Sequence, residues 1–191
     1  MLVSNARVIF VAAVEPSPVA EIERLFRQNT AGAIRVVQAV LPQMRKRRNE
    51  RLLFVSLVSG RIARPGTAAY AASKWALEAL AEALAIETSP FGIHTTLLEP
   101  SAVSSGALDA PLSYRLPDDP YTAFTRGRTD SNGAITPEQV ARAIADAAEL
   151  DEPPLRLPVG DTAAATLAAR KAAPEDVPFV PGVLSPARPG R

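Results

Sequence analysis

The sequence of 191 residues contains no cysteine and a single histidine, His94. Without cysteine there are no disulfides, no thiolate metal sites and no cysteine nucleophile. One histidine leaves a Ser-His-Asp triad or a histidine metal site little to build on, and no metal site is expected. No uninterrupted apolar run reaches the ~18 residues of a membrane span, and no signal-peptide pattern is visible. Lysine and arginine number 21 against 20 acidic residues, so a net charge of +1 gives no argument for nucleic acid or an anionic membrane. The run Arg45-Lys46-Arg47-Arg48 falls at a predicted helix C-terminus, where cations complement the macrodipole, and reads as a solvated helix end. Glycine is scarce too: ten residues, spread singly, with no G-x-G anywhere. What remains fits one cytoplasmic domain, with 47% hydrophobic residues to fill its core.

The stretch that organises the chain is Leu52 to Lys74. Leu52 to Val58 is an apolar, β-branched run that reads as a buried strand, closed by Gly60 and a Pro65-Gly66 turn. A helix pattern follows from Ala68 to about Glu87, carrying Tyr70 and Lys74 four residues apart on one face. A phenol beside an ammonium has a chemical use. The positive charge favours the phenolate, and a tyrosine tuned this way exchanges a proton with a substrate oxygen at neutral pH.

The surroundings carry more than the pair does. Strand, serine-bearing turn, Gly60, Pro65-Gly66, then Tyr70-Ala71-Ala72-Ser73-Lys74 and Trp75-Ala76-Leu77-Glu78 closely resemble the active-site region of classical short-chain dehydrogenases/reductases. The resemblance covers roughly residues 2 to 172. It implies an α/β fold, the C-terminal part (strands 4 to 7 with flanking helices) of a doubly wound, Rossmann-like parallel sheet. It also implies NAD(P) as cofactor, an alcohol or carbonyl as substrate, and hydride transfer between them. Tyr70 then stands as the acid/base, Lys74 as the residue that lowers its pKa and holds the ribose, and Asn29 as the helix-distorting residue of the proton relay. Asn5 and Ala6, after a short first strand, match the family's Asn-Asn-Ala-Gly on the adenosine side. Pro100, Val103 and Ser105 match the Pro-Gly-x-Val-x-Thr loop at the nicotinamide carboxamide. The helices around 17–48 and 68–87 imply a homo-oligomer, with Ala72, Ala76, Ala79 and Ala83 as a smooth stripe for close packing.

The sequence also departs from that pattern. Counting thirteen residues back from Tyr70 places Leu57 where the family has its carbonyl-orienting serine. Leucine has no hydrogen-bonding group, and Ser56 faces the other side of an extended strand. Arg7 and Ser101 stand at family glycines. The glycine-rich turn that lets backbone amides approach a pyrophosphate is missing, and the match begins at the family's fourth strand. NAD(P) binding and turnover are therefore expected to be impaired. The competing expectation is a non-catalytic remnant serving as an interaction or dimerisation module.

Elsewhere the pattern predicts a helix from Glu15 to about Arg48, with Pro42 ending its regular part early. A strand is predicted over Ile93 to Leu98, and a variable substrate loop over 106–134. Thr136 and Pro137 open a helix to about Leu150. Leu155 to Gly160 reads as a last strand, and Asp161 as the cap of a final helix to about Lys171. Residues 1–172 form the expected domain, and 173–191, with five prolines, an expected disordered tail.

Overall fold

The computed structural model describes residues 1–106, 111–125 and 133–179. Strand β1 (Leu2–Ser4) leads through β2 (Phe10–Val11) into helix α1 (Val19–Leu25). A π-helical turn (Phe26–Ala31) joins it to α2 (Gly32–Arg47). Strand β3 (Glu50–Val55), helix α3 (Ala68–Thr88) and strand β4 (Ile93–Pro100) follow. Then come β5 (Leu112–Ser113), the short α4 (Thr122–Thr125), α5 (Pro137–Glu149), β6 (Arg156–Val159) and α6 (Asp161–Ala172).

Four strands form one all-parallel sheet in the order β1-β3-β4-β6. Parallel neighbours require crossover helices, and these bury both faces of the sheet. The residues of β3 show the alternation directly. Leu52 and Phe54 face Val37 and Met44 of α2 and Leu77, Ala81 and Leu84 of α3. Leu53 and Val55 face Val140 and Ala147 of α5. The expected doubly wound α/β architecture is what the chain adopts.

Several boundaries differ from the sequence reading, each for a local reason. Strand β3 ends at Val55 rather than Val58, because Val58–Gly60 closes into a 3₁₀ turn with Gly60 N donating to Leu57 O. Helix α2 runs through Pro42 to Arg47 instead of stopping early. Pro42 is exposed, so water can satisfy the carbonyl it frees. Asp161 is the first residue of α6 rather than its cap; Gly160, at φ 89°, holds that place, and no side chain caps the helix. Thr136 does cap α5, exchanging hydrogen bonds with Gln139 in a reciprocal capping box. Strand β2, missed in the sequence, pairs in parallel with β5 to make a small second sheet. The expected tail is described only to residue 179; 107–110, 126–132 and 180–191 lie outside the described residues.

Candidate active site

The C-terminal ends of β1, β3 and β4 lie side by side, the place where open α/β sheets bind ligands. Arg7 follows β1, Leu57 follows β3, and Ser101 to Ser105 follow β4. Helix α3 starts after the Arg64–Thr67 turn, in which Gly66 takes φ 77° and Thr67 N donates to Arg64 O. That turn aims the first turn of α3, and with it Tyr70, at the strand ends.

Asn29 sits in the π-helical turn and is almost completely buried. Its Oδ1 accepts from Val8 N at 2.8 Å, and its Nδ2 donates to Val8 O at 3.0 Å and to Ser73 Oγ at 3.0 Å. Ser73 Oγ in turn donates to Tyr70 O, and Thr30 Oγ1 donates to Ser73 O. One side chain thus ties the segment after β1 and the α1–α2 junction to the turn of α3 that carries Tyr70 and Lys74. The helical kink expected at Asn29 is present as this π turn.

Tyr70 and Lys74 are both buried, at 3% and 1% exposure. Lys74 Nζ donates to Val55 O at 3.0 Å, while the Tyr70 hydroxyl has no partner among the described residues. Burial pushes the Tyr70 phenol up to about 12, partly offset by the Arg7 guanidinium. Burial also brings Lys74 down to about 8, helped by Arg7 and opposed by Glu78. The expected lowering of the tyrosine pKa is therefore reversed. Tyr70 packs in one apolar cluster with Phe10, Leu25, Val8 and Leu57, and burial disfavours its anion more than the Arg7 guanidinium favours it.

Leu57 is extended (φ −170°, ψ 161°) and packs in that apolar cluster, so no side-chain hydroxyl meets the phenol from this position. Ser59 is buried on the 3₁₀ turn. Arg7 reaches Ser105, its Nη2 donating to Ser105 Oγ at 3.4 Å. Asn5 and Ala6 are exposed beyond β1; Pro100 closes β4, and Val103 bridges to Ile135. Ser101 Oγ donates to Gly133 O, anchoring the loop. His94 lies on β4, and no cluster of metal-binding side chains occurs among the described residues.

A polar cluster under α3 went unassigned in the sequence. Glu78 of α3 and Glu99 of β4 are buried on the same side of the sheet as Arg156, which holds Glu78 Oε2 at 3.1 Å and Glu82 Oε2 at 2.6 Å. Arg61 approaches Glu99 at 3.7 Å. Gly60 makes room for this cluster: a Cβ there would meet Ser56 Oγ at 2.7 Å and Glu78 Oε1 at 3.0 Å. Two acids in consecutive apolar elements (Glu78 among Ala and Leu, Glu99 before Pro100) were the available signal. Burial raises Glu78, and burial together with the Glu78 charge raises Glu99 to about 7. An acid raised on folding stabilises the fold below its unfolded value, near 4.3, and loses that contribution as pH rises through about 7. Thermal melts should therefore show a falling Tm between those pH values. Glu99→Gln should flatten the dependence; an unchanged slope in that variant would assign it elsewhere.

Comparison with known proteins agrees with this geometry. A family model described as short chain dehydrogenase matches residues 1–113. The chain belongs to that family. Oxidoreductase BOA17 of Botryotinia fuckeliana is 32% identical over 85% of this chain and 62% of its own length. A short-chain dehydrogenase structure from Streptomyces avermitilis superposes with TM-score 0.79 at 33% identity, over 88% of this chain and 63% of the other. A gluconate 5-dehydrogenase from Burkholderia cenocepacia, in complex with NADP and tartrate, matches at TM-score 0.54 and 28% identity over 55% of this chain and 41% of its own. The chain thus spans less than two thirds of the length of these relatives.

At these strand ends Arg7 reaches the Ser105 hydroxyl, and the 191 residues contain no G-x-G turn.

Proposed function

We propose that this chain carries the proton-handling part of an NAD(P)-dependent oxidoreductase acting on a small alcohol or carbonyl, and that its own turnover is impaired. The observation that carries the reading is the Tyr70–Ser73–Asn29 linkage with Lys74 one turn further along α3. In this reading Tyr70 exchanges a proton with a substrate oxygen. Lys74 supplies positive charge beside it, and Asn29 keeps both helices in register with the strand ends. Leu57 offers no hydrogen bond to orient a carbonyl. A cytoplasmic location belongs to the same proposal. So does cofactor contact at Asn5, Ala6, Tyr70, Lys74, Pro100, Val103 and Ser105, which rests on the family and its NADP-bound member.

One observation favours a second reading, a non-catalytic interaction module. The outer face of α3 leaves Trp75, Leu80 and Ile86 exposed, with Ala72, Ala79 and Ala83 between them. Such a face suits helix packing against a second copy, joined by the neighbouring α2.

Following NADPH absorbance with a panel of aldehydes and ketones tests the proposal. Turnover at or near the background rate is expected. Robust turnover that disappears in Tyr70→Phe contradicts the impairment.

A further inference from the structure

The basic run Arg45-Lys46-Arg47-Arg48 is more than a helix end needs. The macrodipole falls off within the last turn, and Arg48 already lies outside α2. Arg48 sits at φ 55° and ψ 172°, backbone that suits glycine and strains an arginine. Of the four, Arg47 meets Glu50 at 3.7 Å, and Glu50 also holds the Met1 amino group. Arg45, Lys46 and Arg48 are exposed and pair with no carboxylate among the described residues. The net charge of +1 over the whole chain conceals this local excess.

The end of α3 lies directly against the run. The Arg45 guanidinium sits over the Phe91 ring, 5.8 Å from its centre. Gly92, at φ 67°, lets the two turns touch: a Cβ there would meet Asn49 N at 3.2 Å and Arg48 Cβ at 3.7 Å. Glu50 N donates to Gly92 O at 3.0 Å. The same corner exposes apolar side chains, Ile86 at 72% and Phe91 at 37%, with Pro90 exposed between them. Glu87 is the acid in the last turn of α3; Asp151 and Glu152 follow α5, which packs on the other face of the sheet.

Unpaired cations beside protruding apolar side chains match an anionic bilayer, which offers phosphate headgroups to the first and an acyl boundary to the second. A nucleic acid would use the cations and stack bases on an aromatic face. Here Arg45 covers one face of Phe91, and Ile86 and Pro90 offer a base no ring to stack on.

We propose that the α2–β3 corner and the α3–β4 turn form a peripheral docking surface for an anionic membrane. Arg45, Lys46 and Arg48 meet the headgroups, and Ile86 and Phe91 reach the acyl boundary. Both segments lead into the N-terminal ends of β3 and β4. The strand ends beside Tyr70 lie at the opposite edge of the sheet and stay turned to water. Docking of this kind needs no turnover by the chain.

The test is cosedimentation of the folded 191-residue chain with vesicles of equal parts phosphatidylcholine and phosphatidylglycerol, and with phosphatidylcholine alone. Saturable binding to the mixed vesicles only is expected, lost in about 1 M salt, where charges are screened beyond about 3 Å. Each basic residue near such a surface is worth about fivefold in partitioning, so Arg45→Gln, Lys46→Gln and Arg48→Gln together should weaken binding on the order of 100-fold. Circular dichroism should be unchanged, because all three side chains are exposed. Ile86→Ser, which leaves the charge intact, should weaken vesicle binding severalfold. No binding to either vesicle, equal binding to both, or binding undiminished in the charge variant overturns the proposal. So does a single-stranded oligonucleotide that binds more tightly than the vesicles and is indifferent to Ile86→Ser, which would assign the run to nucleic acid.

Discussion

Asn29→Ala should destabilise the chain by about 3–5 kcal/mol, the sum expected when several buried polar groups lose their partner together. The substitution orphans Val8 N and Val8 O, and removes the donor that Ser73 Oγ accepts. Asn29 and Ser73 are 1% and 0% exposed, so the Ser73 hydroxyl has no ready water to replace the lost donor. Asn29→Asp is a sharper version. A carboxylate still accepts from Val8 N, but it donates to neither Val8 O nor Ser73 and brings a charge into a closed space. Its destabilisation should equal or exceed that of alanine. Urea unfolding followed by circular dichroism measures both. A loss below about 1 kcal/mol, the worth of one ordinary hydrogen bond, would show that the π turn does not depend on this clamp.

The second large effect is a gain. In the chain joined to the glycine-rich N-terminal strands of a relative, Arg7→Gly with Leu57→Ser should raise carbonyl turnover on the order of 100-fold over the same fusion unaltered. The figure follows from the 10²–10³ in rate that one transition-state hydrogen-bond donor is typically worth. Leu57 already has the extended backbone that a strand-end serine needs, so the hydroxyl arrives without rebuilding the main chain. The substitution removes apolar contact with the Tyr70 cluster and should cost about 1–3 kcal/mol of stability. It also places a polar group beside the phenol, which now has no hydrogen-bond partner. Initial rates against a ketone panel, with Tyr70→Phe as the control, check this. No increase would count against Leu57 and Arg7 as the obstructing residues.

The sheet was legible because its strands announce themselves. Leu52–Val55 is a continuous apolar run of the kind that parallel strands buried on both faces require, and Ile93–Leu98 follows the Gly92 turn with β-branched residues and leucines. Thr136-Pro137 marked the start of α5 through capping chemistry that acts within four residues. Strand β2 was invisible: two residues, Phe10 and Val11, pair with Leu112 and Ser113 about a hundred positions away, and no local pattern encodes such a partner. The site divides the same way. The shared helix face of Tyr70 and Lys74 was readable from spacing and the roles proposed for them and for Asn29 came from the family resemblance, whereas their electrostatics were not readable. The phenol's pKa depends on Phe10, Leu25 and Leu57 closing around it, a property of packing rather than of the Tyr–Lys interval. Arg7 appeared in the sequence as a replaced glycine. That it reaches Ser105, and how its charge acts on both Tyr70 and Lys74, became visible only once the strand ends were side by side.

The central claim is the proposal that the Tyr70–Lys74 arrangement is retained while the 191 residues, with Arg7 reaching Ser105 at the strand ends and no G-x-G turn, hold a dinucleotide weakly. Calorimetric titration of the purified chain with NADPH tests it most directly, with circular dichroism on the same sample to confirm folding. The account predicts a folded chain with no saturable heat of binding below about millimolar NADPH. Saturable binding at micromolar concentrations, lost in Lys74→Ala, would contradict it.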